Sequence, residues 1–353
     1  MYPALAVVDA LGERVEVLWV GGEGGMETEL VPRAGIPFRT IPAAGVHGVS
    51  PSRLPGNVAS LLRGIWQARG ILREYRPDVI FFTGGYVGVP VALADWATPK
   101  ALFVPDIEPG LAARVISRRC QRVFLTTEES RQFYWQKEKV LVTGYPTRPQ
   151  LRETDKRRAL QALDLESGRL VLLAMGGSRG AQSINRALWA GLRELLLHLQ
   201  VIHITGMSNW AEARAVREEL PRNLQAAYHP FPYLHERMGA ALAAADLALS
   251  RAGASALGEY PLFALPAVLV PYPYAWRYQH TNAQHLARRG AAVVIPDGEL
   301  ERRLLPTIIG LIQDPLRLQG MSRAANEMAK PEAAAIIGEA LLSLPDRRRR
   351  PRG

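Results

Sequence analysis

Along most of the chain, short apolar runs of valine, isoleucine and leucine alternate with longer segments whose apolar residues recur every three to four positions. Runs of the first kind suit strands buried on both faces, and segments of the second kind suit the helices that cover them. The pattern therefore predicts parallel sheets flanked by helices. Expected strands are 15–20, 37–41, 78–82, 101–104, 121–125 and 140–143, followed by a second series at 170–174, 200–204, 224–228, 247–250, 267–270 and 292–295. Expected helices include 57–74, 181–199, 234–244, 254–263 and 278–289. An α/β fold of two doubly wound units follows. The segment Gly144-Tyr145-Pro146-Thr147-Arg148-Pro149 interrupts the alternation with a glycine and two prolines, which makes it the expected hinge.

The expected domains are 1–145, 146–330 and a terminal segment 331–353, whose helix is expected to pack on either unit before a basic tail. The run Ala4 to Leu11 is helix-like with no strand before it, so a strand and a loop are expected upstream of Met1.

Composition narrows the class. At 353 residues with 48% hydrophobic and 22% charged residues, the chain can bury a large core without staples. Its single cysteine, Cys120, excludes an internal disulfide framework and a cysteine-rich metal site, and suits a reducing compartment. The longest uncharged apolar stretch near the middle, Pro261 to Trp276, is broken by Pro266, Pro271 and Pro273, so it cannot span a bilayer as a helix. The net charge of +10 includes five arginines against one aspartate in the tail Asp346 to Gly353. A basic surface suits anionic lipid, phosphorylated ligands or nucleic acid. Nucleic acid ranks last because no segment interleaves the basic residues with aromatics.

Glycine turns at strand ends carry the candidate chemistry. In Met175-Gly176-Gly177-Ser178-Arg179-Gly180-Ala181 a strand runs through glycines into a helix expected near Gln182, which aims unsatisfied N–H groups and the positive helix end at one point. Gly177 lets a phosphate approach the backbone, and Ser178 adds a hydroxyl donor. The alternative is tight strand-to-helix packing. A second turn, Thr83-Gly84-Gly85-Tyr86-Val87-Gly88, is either another anion or sugar cradle or a plain turn. In Arg251-Ala252-Gly253-Ala254-Ser255, followed by Glu259, a carboxylate about one and a half helical turns past the turn can accept both hydroxyls of a ribose. Gln279 and Asn282, three apart, face one side of a helix and offer amides to sugar hydroxyls. Arg148 in the hinge can neutralise phosphate. The histidines 47, 198, 203, 229, 235, 280 and 285 show no metal-binding arrangement, and there is no Asp-x-Asp.

In order along the chain, several short segments resemble the MurG family of two-domain glycosyltransferases. They are Tyr2-Pro3-Ala4-Leu5-Ala6, Met26-Glu27, Leu30-Val31-Pro32, Gly84-Gly85-Tyr86-Val87 and Gly144-Tyr145-Pro146-Thr147-Arg148 in the first half. In the second half they are Gly176 to Ala181, His203-Ile204-Thr205-Gly206, Ala244-Ala245-Asp246-Leu247, Arg251 to Ser255, and Gln279 with Asn282. The resemblance implies two Rossmann-like domains facing a cleft, the GT-B type. It also implies inverting transfer of N-acetylglucosamine from UDP-N-acetylglucosamine to lipid I in peptidoglycan synthesis, with no metal or other cofactor. It assigns Ser178 and Arg148 to the donor diphosphate, Gly253, Ala254 and Ser255 to the phosphates and ribose, and Glu259 to the ribose hydroxyls. Gln279 would read the N-acetylglucosamine, and the uracil would lie beside Leu234 and the backbone of His235. Gly84, Gly85 and Tyr86 fall on the acceptor side, in the domain that meets the membrane.

Two departures bear on the chemistry. The family's Gly-Gly-Thr-Gly-Gly-His loop would lie before Tyr2, and its His-Glu-Gln-Asn loop is replaced by Phe103-Val104-Pro105-Asp106-Ile107-Glu108-Pro109-Gly110. The catalytic base is therefore unassigned, with Asp106 and Glu108 as its candidates. The expected partners are a UDP-sugar, a lipid-linked acceptor and an anionic membrane surface, met at the cytoplasmic face by a peripheral protein. Three alternatives stay open: a paralogue with another lipid or glycan acceptor, a UDP-sugar epimerase, and a non-catalytic UDP-sugar-binding relative.

Overall fold

A computed structural model describes residues 1–24, 27–43, 54–176, 181–274 and 278–344. The chain divides into two compact units: residues 1–148 with 332–353, and residues 149–331. The division falls three residues after the expected 145/146 boundary. The last segment belongs to the first unit.

In the first unit, β1 (Trp19–Gly22) and β2 (Phe38–Ile41) form one parallel ladder, while β3 (Ile80–Phe82), β4 (Lys100–Val104), β5 (Arg122–Leu125) and β6 (Val140–Val142) form another in that order. β1 is shorter than the expected strand at 15–20 and displaced along the chain, because its hydrogen-bonding partner, β2, begins only opposite Trp19. β4 is buried at all five positions, and Leu102 and Val104 join Phe82, Ile116, Val123 and Leu125 in the core.

The first helix, Tyr2–Leu11, tolerates Pro3 because the opening turn of a helix leaves its N–H groups unpaired in any case. It ends at Gly12, whose φ of 56° and ψ of −139° form a backbone conformation that glycine adopts without strain. The helix Ala333–Leu342 returns from the end of the chain to pack on it, burying Ile337, Gly338 and Leu341. A Cβ on Gly338 would lie 3.3 Å from the Leu11 side chain, so the small residue sets the close approach. Arg14 and Glu339 close the contact with an exposed ion pair of 2.6 Å.

The second unit holds one parallel sheet in the order β12-β11-β10-β7-β8-β9. Its strands are β7 (Leu170–Met175), β8 (Leu199–Ile204), β9 (Tyr228–Phe231), β10 (Leu247–Ser250), β11 (Ala267–Leu269) and β12 (Ala292–Val294). The chain winds outward from β7 through β8 to β9, then returns beside β7 and winds the other way. Ligands of open α/β sheets bind beyond the carboxyl ends of the strands at such a reversal, here between β7 and β10.

Several expected elements of the second unit also differ, among them the helix at 234–244, which opens as a 3-10 turn, His235–Arg237, before Met238–Ala244. The strand at 224–228 gives way to a short helix, Arg222–Gln225, and β9 starts only at Tyr228. The helix at 181–199 is two helices, Gln182–Ala190 and Leu192–His198, broken at Gly191, where a Cβ would press to 3.2 Å from Leu305. The helix at 254–263 is a 3-10 turn, Ala254–Leu257, and a four-residue helix, Glu259–Leu262, kinked at Gly258.

Candidate functional site

At the reversal, Ser250 pairs with Met175, so the chain leaves β10 beside the point where it leaves β7. After Gly176, residues 177–180 lie outside the described residues, and with them the candidates Gly177 and Ser178. Ala181 is extended and starts the helix Gln182–Ala190, whose first amides have no intrahelical partner and favour an anion.

Arg251 ties this helix to the far side of the sheet. Its nearly buried guanidinium donates from Nη1 to Asp297 Oδ1 at 2.5 Å and to the Val270 carbonyl at 3.2 Å, and from Nη2 to Ser183 Oγ at 2.7 Å. Ser183 in turn donates to Asp297 Oδ1 at 2.7 Å. The guanidinium also lies 5.2 Å from the ring centroid of Tyr272. One side chain thus fixes the start of the helix after β7 together with the segments that follow β11 and β12.

The neighbouring turn is held from below. Asn282 is fully buried and donates from Nδ2 to the Ala252 carbonyl at 3.2 Å, so it shapes the turn that precedes Gly253. Gln279 accepts the Tyr272 N–H at Oε1, 2.8 Å away, which turns its amide NH₂ into the group able to read a ligand. The two residues share a helix, Tyr278–Arg288, as their spacing suggests, yet they do different work. Gly253 has φ −65° and ψ 163°, an extended conformation open to any residue. Ala254 and Ser255 are half-buried in the 3-10 turn, and Glu259 is half-buried at the start of the short helix after the kink. Beneath them Tyr260 donates to Ser250 Oγ at 2.6 Å, and burial pushes the phenol upward from its usual pKa.

Leu234 is buried, and the exposed His235 next to it has a φ of 38°. A non-glycine residue in the left-handed region carries backbone strain, and such residues cluster at ligand sites. The rings of Tyr233 and His235 are 5.6 Å apart.

A second network escaped the sequence reading. His203 on β8 is fully buried, with Nδ1 2.8 Å from the Tyr228 hydroxyl and Nε2 3.0 Å from Asn185 Oδ1. Trp189 Nε1 donates to the same hydroxyl at 2.9 Å, and Asn185 Nδ2 donates to the Thr205 carbonyl at 3.1 Å. Burial lowers the His203 pKa to about 3, so the ring stays neutral. Asn185 stands on the helix Gln182–Ala190, so this network seats that helix against the end of β8.

In the first unit, Gly84 and Gly85 have φ of 89° and 81°, two successive left-handed positions that glycine alone holds without strain. Tyr86 beside them is exposed. The Thr126 hydroxyl donates to the carbonyls of Pro105 at 2.8 Å and Val104 at 3.1 Å and pins the start of the loop that carries Asp106. Glu108 is buried, with Oε1 3.7 Å from Arg114 Nη2, whereas Asp106 is half-buried. Arg148 lies 4.5 Å from the ring centroid of Tyr2. Among the described residues no group of three or more His, Cys, Asp and Glu side chains is arranged to hold a metal ion.

Residues 1–125 match the Glycosyltransferase family 28 N-terminal domain, and residues 171–337 match its C-terminal domain. The chain is 37% identical, over 99% of its own length and 93% of the relative's, to the UDP-N-acetylglucosamine--N-acetylmuramyl-(pentapeptide) pyrophosphoryl-undecaprenol N-acetylglucosamine transferase of Roseiflexus sp. (strain RS-1). In fold it is similar to MurG of Acinetobacter baumannii, with a TM-score of 0.75 at 24% identity, covering 97% of this chain and 96% of that one. It is also similar to the UDP-GlcNAc 2-epimerase of Neisseria meningitidis, with a TM-score of 0.68 at 16% identity over 97% and 96% of the two chains.

Proposed function

Because this chain belongs to the MurG family of UDP-N-acetylglucosamine-dependent glycosyltransferases, we propose that it transfers N-acetylglucosamine from UDP-N-acetylglucosamine to N-acetylmuramyl-(pentapeptide) pyrophosphoryl-undecaprenol. The full-length relationship to the Roseiflexus enzyme carries this reading. The likeness to the epimerase is one of fold and speaks for no reaction of its own.

In the proposed reaction the acceptor hydroxyl oxygen bonds to the anomeric carbon while the bond from that carbon to the diphosphate oxygen breaks. The electron pair leaves with UDP, and the hydroxyl proton passes to a base. Arg148, Ser178 and the amides opening the helix Gln182–Ala190 would offset charge on the departing diphosphate. Glu259 would accept the ribose hydroxyls, and the amide NH₂ of Gln279 would donate to a sugar oxygen. Leu234 and the His235 backbone would flank the uracil, and Gly253, Ala254 and Ser255 would lie near the phosphates. On the acceptor side, Gly84, Gly85 and Tyr86 would contact the lipid-linked substrate. Of the two carboxylates in the replaced loop, Asp106 is the more accessible candidate base, since Glu108 is buried and lies beside Arg114. The reading requires no metal.

The acceptor is lipid-borne, and no helix among the described residues is long and apolar enough to cross a membrane. The reading therefore includes peripheral binding at the cytoplasmic face. It is supported by the helix Leu54–Tyr75, which presents Val58, Leu62 and Trp66 at four-residue spacing, Leu62 and Trp66 being 62% and 76% exposed. Arg63, Arg69 and Arg73 lie on the same helix. Exposed apolar stripes edged by basic residues suit an anionic bilayer surface. The arginine tail, outside the described residues, would add on the order of 1 kcal/mol per charge near the headgroups.

The test is turnover with a lipid-linked muramyl-pentapeptide acceptor, read as UDP release together with mass of the disaccharide lipid. UDP release that is indifferent to this acceptor but follows another lipid would replace the proposed acceptor. Epimer formed without any acceptor would overturn the transferase reading.

A further inference from the structure

A cavity of about 360 Å³ opens in the second unit beside β9, two strands away from β7 and the reversal. The helix Trp210–Glu219 packs against this edge strand and contributes Arg214 and Arg217, and Arg237 lines the cavity from beyond the end of β9. Asp164 is the single carboxylate in the lining. Among the described residues none of the three guanidiniums takes part in an ion pair.

Two of them are oriented by aromatic rings: Arg214 lies 5.8 Å from the Trp210 centroid and Arg237 lies 5.1 Å from that of Phe231. Arg217 is anchored by a bond of 3.4 Å from Nε to the Gln225 carbonyl. The floor holds His229, whose Nε2 is buried and meets no hydrogen-bond partner. Burial and the nearby Arg217 charge hold this imidazole below its ordinary pKa, against a backbone hydrogen bond at Ala226 and the charge of Asp164. The ring is therefore neutral near pH 7. A buried ring nitrogen without a partner is costly, and a ligand donor at that point would remove the cost.

We propose that this cavity is a binding site for a soluble phosphate- or diphosphate-bearing small molecule, separate from the sugar-nucleotide site. Its phosphate oxygens would lie in the guanidinium forks of Arg214, Arg217 and Arg237, with a phosphate or ligand hydroxyl donating to His229 Nε2. Three planar, always-charged forks against one carboxylate match a dianion better than a monoanion. A recess, as opposed to a flat basic face, suits a free ligand over a bilayer. This inference stands apart from the proposed transferase reaction, since none of its residues is assigned there.

The test uses the full chain with isotope-labelled histidine ring carbons, the His229 resonance being assigned through His229→Gln. Inorganic pyrophosphate added at constant ionic strength should move that resonance to saturation. Arg214→Ala with Arg217→Ala should weaken the effect by about 10-fold or more, and the paired lysine substitutions should fall between. Both arginines are exposed, and an unchanged melting curve checks that the variants are folded. A resonance that does not move, equal affinity in the alanine pair, or a shift produced only by phosphatidic acid vesicles would each overturn the proposal.

Discussion

In the second unit the polar side chains that organise the candidate site lie inside and reach far along the chain: Arg251 joins Ser183 to Asp297, His203 joins Asn185 to Tyr228, and Asn282 holds Ala252. In the first unit several large apolar side chains stand outside, with Trp66, Trp96 and Trp135 all exposed. Its buried polar groups serve mostly local turns, as where Thr98 and Lys100 close on Asp95 and Thr98. Loops fixed by buried polar partners can hold a charged, hydroxylated ligand with little reorganisation. An exposed apolar stripe gains only when something covers it. The two halves thus differ in kind, and on the proposed reading one suits a nucleotide sugar in water and the other a lipid boundary.

The strongest way to break this contrast is Arg251→Ala, which leaves Asp297 and Ser183 without their cation. Removing one partner of a largely buried pair costs about 3–5 kcal/mol. Denaturant unfolding should show that loss in the second unit, together with weaker UDP binding. Lysine should rescue little, because it lacks the fork. An unfolding midpoint within error of wild type would show that the network organises nothing.

Next in size is the donor carboxylate. Glu259→Ala should weaken UDP by about 1.5–3 kcal/mol if the ribose bonds are charge-assisted, as calorimetry would report. Gln279→Ala should weaken UDP-N-acetylglucosamine more than UDP, and equal losses would remove Gln279 from the sugar site.

Acid sharpens the contrast through His203. Its folded pKa is about 3, below the unfolded value of about 6.5, so between these pH values the unfolded chain binds the extra proton. Stability from the neutral ring is complete above pH 6.5 and is lost as pH falls, by about 2 kcal/mol at pH 5. His203→Gln should flatten that part of the profile, and an unchanged slope would assign acid sensitivity to other groups.

The smallest effect belongs to the outside of the first unit. Trp66→Ser should lower binding to anionic vesicles by about 1.5 kcal/mol while leaving thermal stability within about 0.5 kcal/mol. Truncation after Leu344 should reduce vesicle binding in a salt-sensitive way. Sedimentation showing equal vesicle affinity for both variants would leave the stripe and the tail without a membrane role.

The fold was legible wherever apolar runs were long and uninterrupted, as at β7 and over Ala101–Val104 of β4. It was misread at β9, because Tyr228-His229-Pro230-Phe231 contains a proline that argues against a strand. The sheet tolerates it because β9 lies at the edge, where a missing donor breaks no ladder. Turns that carry glycine were visible, and Glu259 and Gln279 stand out for functional groups that suit the roles proposed for them. Arg251 was visible only as part of a turn. Its partners Ser183 and Asp297 lie 68 and 46 residues away, and no local pattern encodes such a meeting. Asn282 was read as facing a sugar because spacing gives the side of a helix and not its burial. His203 was read as a metal-ligand candidate and as part of a family segment, although the apolar residues around it signal a position inside the sheet.

The helix Ala333–Leu342, which closes on Tyr2–Leu11, gives this architecture an order in time. The first unit is interrupted: its chain departs after Arg148 and resumes at Glu332. During synthesis the second unit emerges whole, while the first helix, Tyr2–Leu11, waits for its partner, Ala333–Leu342, through about 320 further residues, roughly 15–65 s at ordinary elongation rates. Ala6, Val7 and Leu11 are buried once that partner arrives, and until then they form a sticky face on a nascent chain. The amino-terminal helix is therefore the place where a stalled or shortened message would first be felt, as a need for chaperones.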